Sequence, residues 1–177
     1  MGVANLDLFP ATADYSVTWK EYYGTTTGKE AMLLRASGTS TLYAGAKQGY
    51  YFMIDNTYVN ASSVNQQRLR VYRLDASTQT QLGSAVYSTL PNTGVARWYK
   101  ATVQGSTLKF EYSTDGITFT TAVSTTDATF TAGTTQCLWG FSVYGNPDIR
   151  FDDIAFQKLT AKPSSSITIS GSNFVPN

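Results

Sequence analysis

The acidic side chains are the ones from which this sequence could assemble a catalytic site. Hydrolysis of a glycosidic bond needs two carboxyl groups on one cleft, about 5–5.5 Å apart for retention or about 6.5–9.5 Å for inversion. The glutamates are Glu21, Glu30 and Glu111, and none has an acidic residue two positions further on, where a strand would place it on the same face. The adjacent Asp152 and Asp153 point to opposite sides of a strand. We therefore predict that the chain is not an enzyme.

Other catalytic mechanisms lack their residue types. The sequence has no histidine, which excludes Ser–His and Cys–His nucleophile pairs and histidine-ligated metals. Cys137 is the single cysteine, so an internal disulfide and a cysteine-rich zinc site are excluded, and we expect a small buried apolar side chain there. No GxxxxGK[ST] phosphate-binding loop occurs. Binding or a structural role is what these observations leave.

Charge and hydropathy restrict the partners. The net charge is +1 and only 14% of residues are charged, against about 25% in a typical domain. This balance gives no electrostatic signature for nucleic acid or acidic membranes. The longest apolar run is far shorter than the ~20 residues that cross a bilayer, and no signal-like segment is found. A surface rich in Thr and Ser favours an extracellular or cell-surface location, with a virion as the alternative.

The elements that must position any site are strands. Alternating, β-branched and Tyr-rich segments are separated by Gly, Asn and Asp, and a helical period is hard to find. Asp115-Gly116 between two alternating segments is a strong hairpin signal. The pattern predicts an all-β, two-sheet antiparallel β-sandwich. Its ten strands are predicted at residues 15–22, 31–36, 49–55, 68–74, 84–89, 98–103, 107–112, 117–123, 137–144 and 150–158.

The end of the chain changes character. Residues 162–166 form a linker-like run of Lys, Pro and Ser, and an alternating segment begins at Ile167. We predict a sandwich module over residues 1–160, with 161–177 as a linker plus either an extra edge strand or the start of a following domain.

A series of motifs resembles a known family. It comprises Leu-Leu-Arg-Ala-Ser at 33–37, Gly-Tyr-Tyr-Phe at 49–52, Leu-Arg-Val-Tyr-Arg-Leu at 69–74, Trp-Tyr-Lys at 98–100, Tyr-Ser-x-Asp-Gly-x-x-Phe at 112–119 and Phe-Asp-Asp-Ile at 151–154. In this order they resemble concanavalin A-like jelly rolls, in particular the laminin-G-like modules of bacterial polysaccharide-acting proteins and of phage structural proteins. The resemblance covers about residues 13–160. Residues 167–176 resemble the opening of an IPT/TIG domain.

The resemblance implies a structural calcium ion, because an acidic residue on the last strand is often a ligand in carbohydrate-binding jelly rolls. Asp152 or Asp153 matches that position, with Asp14 or Asp7 as the partner if the first strand pairs with the last. The alternative is that one aspartate of the pair is buried and hydrogen-bonded and the other is exposed.

Sugar binding needs flat aromatic faces and polar groups for the sugar hydroxyls. Tyr, Asn and Gln cluster at residues 43–66, and Arg68, Arg70 and Tyr72 share one face of their strand. We predict a shallow groove on a concave sheet that binds a neutral polysaccharide or a cell-surface glycan. Its candidate residues are Tyr50, Arg70, Tyr72, Trp139 and Tyr144.

The composition fits a second class equally well. A phage tail, baseplate or capsid-decoration module, or an adhesin segment, would use the sandwich to contact neighbouring domains or virion subunits. A binding module should present an aromatic face as a monomer, whereas a virion module should cover it in an oligomer.

Overall fold

The computed structural model describes residues 14–24, 28–37, 48–59, 65–75, 78–88, 94–130, 138–144 and 148–159. Every regular element among them is a strand, and none of these residues forms a helix that could cross a membrane. The strands are β1 (Tyr15–Tyr23), β2 (Lys29–Ser37), β3 (Gln48–Val59), β4 (Asn65–Asp75), β5 (Thr78–Ser88), β6 (Ala96–Gln104), β7 (Thr107–Ser113), β8 (Thr120–Thr126), β9 (Leu138–Tyr144) and β10 (Ile149–Lys158). Each predicted strand overlaps one of these.

The strands form two five-stranded sheets. Sheet A has the order β10-β1-β6-β7-β8 and sheet B the order β5-β4-β3-β2-β9. All neighbouring strands are antiparallel. The predicted all-β sandwich with two antiparallel sheets is therefore confirmed.

Side-chain alternation fills the space between the sheets. Along β6 buried and partly exposed residues alternate, so that Tyr99, Ala101 and Val103 face the interior with no exposed surface. The Trp19 ring from β1 lies 5.6 Å from the Tyr99 ring and 6.2 Å from the Phe110 ring. Sheet B contributes Met32, Leu34, Tyr50, Phe52, Ile54, Leu69 and Val71 to the same cluster.

At one end of the interior, β2 departs from alternation at Arg35. The register shifts there and Arg35 has a φ of 49°, so the strand contains a β-bulge. The guanidinium, which is 0% exposed, donates from Nη1 to the carbonyl oxygens of Gly105 (2.8 Å) and Phe130 (2.7 Å) and from Nη2 to Asp14 Oδ1 (3.1 Å). The backbone N–H of Arg35 donates to the Tyr15 hydroxyl at 2.8 Å. The bulge thus turns the charged side chain of Arg35 into the interior, where regular alternation would have turned it outward.

Tyr50 lies at this same end, and its predicted place on the binding surface is wrong. Its side chain is 0% exposed, its hydroxyl donates to Asp127 Oδ1 at 2.8 Å, and the backbone N–H of Phe130 donates to it at 3.0 Å. Arg73 pairs with Asp127 at 2.7 Å. Alternation turns Tyr50 inward, so its neighbour Tyr51 faces outward. We call the set Asp14, Arg35, Tyr50, Arg73 and Asp127 the arginine end.

The opposite end of the interior holds two carboxyl groups. Glu21 on β1 and Glu30 on β2 are each 2% exposed. Trp19 Nε1 donates to Glu21 Oε2 at 3.3 Å, and Asn56 Nδ2 donates to Glu30 Oε1 at 3.2 Å. Arg97 is also buried, and its charge acts on Glu21. We call the set Glu21, Glu30, Asn56 and Arg97 the glutamate end.

Residues 160–177 lie outside the described residues, as do Asp7 and Cys137. The division at residue 160, the likeness of the tail to an IPT/TIG domain and the burial of Cys137 stay predictions.

Candidate functional site

The outer face of sheet B carries the side chains that alternate with the core. On β4, Leu69 and Val71 are in the core, so Arg68, Arg70 and Tyr72 lie on the outer face, as the sequence predicted. On β3 the same alternation places Tyr51, Met53 and Asp55 there, and on β2 it places Lys29, Ala31 and Leu33 there.

Three of these positions form a row across the strands together with Tyr87 on β5. Lys29 on β2 is in register with Asp55 on β3, Asp55 with Arg68 on β4, and Arg68 with Tyr87 on β5. We call Lys29, Asp55, Arg68 and Tyr87 the charged row. The backbone of Tyr144 on β9 pairs with Lys29, which extends the register to the fifth strand. At a spacing of about 4.8 Å between strands, the charged row from Lys29 to Tyr87 crosses three inter-strand gaps, or ~14 Å of the sheet.

Asp55 anchors the charged row electrostatically. Its side chain is 0% exposed, and its Oδ2 accepts hydrogen bonds from Nη2 of Arg68 at 2.6 Å and Nη2 of Arg70 at 2.7 Å. Nζ of Lys29 lies 3.8 Å from the same oxygen. Hydrogen bonding to Asp55, with a smaller contribution from Tyr87, raises the pKa of the Arg68 guanidinium. Three cations share one buried carboxylate, so the cluster keeps a positive charge.

An aromatic corner adjoins the charged row. The Arg70 guanidinium lies 5.2 Å from the centre of the Tyr72 ring, and its Nη2 is 3.5 Å from the Met53 sulfur. Tyr51 and Leu33, next to this corner, are 6% and 3% exposed, so this part of the face is closed. Within the charged row, Tyr87 is 44% exposed, the Lys29 side chain 36% and the Arg68 side chain 26%.

The structure brings together two of the five predicted binding residues, Arg70 and Tyr72. The side chains of Trp139 and Tyr144 lie outside the described residues, so their roles stay predictions. Of the Tyr/Asn/Gln cluster at 43–66, Asn56 belongs to the glutamate end instead. The residues that sequence reasoning missed are Lys29, Asp55 and Tyr87. A period-2 pattern assigns faces within a strand, but which residues meet depends on the register between strands.

Glu21 and Glu30, which the sequence pattern did not place together, interact with each other in the structure. Burial raises the pKa of Glu30 well above its ordinary value, and the negative charge of Glu21 raises it further. Burial also raises the pKa of Glu21, against hydrogen bonding from Glu30 and Trp19 and the charge of Arg97. Both carboxyl groups lie in the interior of the sandwich, where each residue is 2% exposed.

Two of the predicted calcium ligands, Asp14 and Asp152, do not lie together. β1 and β10 pair as the hypothesis required, but Asp152 is in register with Lys20, about 20 Å along the strand from Asp14. Asp14 instead accepts hydrogen bonds from Arg35 and the backbone N–H of Gly105, and Asp152 accepts one from the backbone N–H of Asp153. The joint site of Asp14 and Asp152 is therefore wrong. Within the described ranges no group of three or more acidic, cysteine or histidine residues could hold a metal ion.

Solved structures share this fold. Carbohydrate-binding module CBM66 from Bacillus subtilis superposes with a TM-score of 0.60 at 12% identity, covering 83% of this chain and 76% of that one. The exoplasmic/lumenal domain of VIP36, in a form bound to Ca²⁺ and Man3GlcNAc, gives 0.59 at 13% identity over 86% and 71%. The CBM2 module of the evolved Dit of Lactobacillus casei BL23 phage J-1 gives 0.52 at 16% identity over 88% and 66%.

The likeness concerns the fold. The jelly-roll sandwich is shared with carbohydrate-binding modules and lectins, and a GH43 protein of Bacillus licheniformis also matches, although the chain covers 28% of that protein. No protein-family model matches the sequence, and no curated protein matches it.

Proposed function

We propose that this chain is a non-catalytic glycan-binding module and that the outer face of sheet B is its binding surface. The observation that carries the proposal is the charged row. It places an exposed tyrosine ring and two partly exposed cations in one line across the sheet. An extended polysaccharide lying across the strands would meet all of them. The shared fold with carbohydrate-binding modules supports the proposal without identifying the ligand.

The arrangement suits sugar recognition because rings and donors are held in fixed places. Tyr87 offers a ring face for stacking, and Lys29 and Arg68 offer N–H donors to sugar hydroxyls. Asp55, buried under its cations, is a positioning residue that fixes Arg68 and Arg70 before a ligand arrives. A surface already ordered in this way loses less side-chain entropy on binding.

Affinity electrophoresis of the purified protein in gels containing soluble polysaccharides tests the proposal. Tyr87→Ala should lower the apparent affinity roughly fivefold, since stacking on one ring contributes about 1 kcal/mol. Tyr22→Ala is the matched control, because Tyr22 is 37% exposed on the other sheet, with Arg150 5.6 Å from its ring. An equal loss in both variants, or no retardation by any glucan, mannan, xylan, galactan or uronate polymer, would count against this surface.

The neighbour from a phage protein favours a second candidate, a virion or adhesin module. In that role the outer face of sheet B would be covered by another subunit. Size-exclusion chromatography with light scattering separates the two, since a glycan-binding module should present this face as a monomer. We place the glycan-binding module outside the cell or on its surface; secretion of the full-length protein by its natural host would test this.

A further inference from the structure

On the outer face of sheet B three cations surround a single carboxylate, whereas two ion pairs on sheet A each join one cation to one carboxylate. On sheet A, Lys20 pairs with Asp153 at 3.7 Å, and Lys109 pairs with Glu111 at 2.6 Å. Each of these cations has its own carboxylate. On sheet B, Lys29, Arg68 and Arg70 share Asp55 alone among their ion-pair partners in the described part of the chain. Three cations around one carboxylate leave a local excess of two positive charges, in a protein whose net charge is +1.

From this imbalance we infer that the glycan surface selects acidic polysaccharides, with Lys29 and Arg68 binding the carboxylates of uronate sugars. The inference rests on the proposed function and departs from the neutral ligand that the sequence predicted. A carboxylate is the expected partner because a guanidinium and an ammonium next to each other can both donate to its two oxygens.

The Lys29 ammonium is placed to donate to such a ligand. Nζ of Lys29 is 3.8 Å from Asp55, beyond hydrogen-bonding distance, and the Lys29 side chain is 36% exposed. Arg70, whose side chain is 12% exposed, is held close to Asp55 and Met53. A ligand carboxylate over Lys29 and Arg68 would offset the excess charge at a partly buried position, where salt screens it less than in open solution.

A neutral sugar could stack on the same tyrosine ring but would leave the excess positive charge of the charged row without a counter-charge. The comparison that separates the two cases therefore uses the same polysaccharide chain with and without its carboxylate charges. Polygalacturonate and its methyl ester provide that pair, alginate and hyaluronate widen the range of uronates, and dextran sulfate beside dextran tests whether any anion suffices.

Affinity electrophoresis of the intact chain is the experiment. We expect retardation by at least one uronate polymer. If polygalacturonate binds, the affinity for its methyl ester should be at least roughly tenfold lower than for the free polymer. The affinity should also fall when NaCl is raised from about 0.05 M to about 0.5 M. Lys29→Gln should weaken uronate binding several-fold and Lys29→Glu should abolish it. Lys20→Gln should change nothing, since Lys20 is 31% exposed and lies 3.7 Å from an aspartate on the other sheet.

The outcomes separate the two claims. Binding to neutral polymers alone, without salt dependence, would overturn the inference and leave glycan binding standing. No retardation by any polymer would overturn both. Equal binding to dextran sulfate and the uronates would overturn selection of carboxylates. The urea midpoints of Lys29→Gln and Lys20→Gln should match that of the wild type, which separates a binding defect from a folding defect.

Discussion

The two ends of the sandwich interior differ in how their buried charged groups are compensated. Both bury charged groups between the sheets. At the arginine end, the Arg35 guanidinium donates to two carbonyl oxygens and to Asp14, and Asp127 pairs with Arg73. At the glutamate end, two carboxyl groups face one arginine. Buried atoms without a hydrogen-bond partner are Arg73 Nε at the arginine end and Glu30 Oε2, Asn56 Oδ1 and Arg97 Nη2 at the glutamate end. The first end is balanced by ion pairs, whereas the second depends on protonation.

The two ends should therefore respond to pH in opposite directions. Burial alone would raise the pKa of Asp127, but hydrogen bonds from Thr129 and Tyr50 and the charge of Arg73 lower it below 3.8. Its stabilising contribution is present above that value and is lost as the pH falls through the folded-state pKa. Glu30 has a raised pKa, so its contribution is complete below about 4.5 and is lost as the pH rises through the folded-state pKa.

The largest effect is expected from Arg35→Met. The substitution removes a buried cation and leaves the carbonyl oxygens of Gly105 and Phe130 without these donors. Breaking a buried ion pair by removing one partner costs about 3–5 kcal/mol in the free energy of unfolding. Urea denaturation measures this. The control is Arg150→Gln, whose 72% exposed side chain should contribute less than about 0.5 kcal/mol. A loss at Arg35 as small as that of the control would contradict the comparison.

A smaller effect is expected from Tyr50→Phe. Burial raises the pKa of Tyr50 to about 12, so its hydroxyl stays protonated and donates to Asp127. Phenylalanine keeps the ring, 5.3 Å from that of Phe130, but leaves the buried N–H of Phe130 without this acceptor. We expect a loss of about 1–3 kcal/mol in urea denaturation. Tyr22→Phe, on the exposed face of sheet A, should lie within about 0.5 kcal/mol of the wild type.

The smallest effect at pH 5 is expected from Glu30→Gln, within about 1 kcal/mol of the wild type, because an amide resembles the protonated acid. Its effect should grow with pH. Above about pH 4.5 the unfolded chain releases the Glu30 proton while the folded protein keeps it, so the wild type should lose stability as the pH rises from 5, and the variant should lose less. Urea midpoints between pH 5 and pH 9 measure the slope.

Asp115→Asn is the matched control for the pH series. Backbone hydrogen bonds from Thr118 and Ile117 lower the pKa of exposed Asp115 to about 2, so its titration falls outside the range from pH 5 to 9. This variant should keep the wild-type slope. A slope in Glu30→Gln equal to that of the wild type would mean that the glutamate end does not depend on protonation.

The sequence predicted the fold better than the site, and particular residues explain why. Alternation at Leu69, Arg70, Val71 and Tyr72 assigned both faces of β4 correctly, because polar and apolar residues differ there. In Gly49–Asp55 of β3 the neighbouring residues are nearly all apolar on both faces, so the pattern could not distinguish Tyr50 from Tyr51. The inward position of Arg35 could not be predicted, because a β-bulge turns its side chain to the other face of the strand and the sequence pattern carries no mark of the bulge.

What the sequence determined by itself was the set of strands and the absence of histidine chemistry, because both follow from residue types and local periods. What only the tertiary structure decided was which residues meet. Lys29, Asp55, Arg68 and Tyr87 come from four strands, and Glu21 and Glu30 come from two sheets. Register and sheet packing are set by the sum of contacts over the whole sandwich, so no single segment records them.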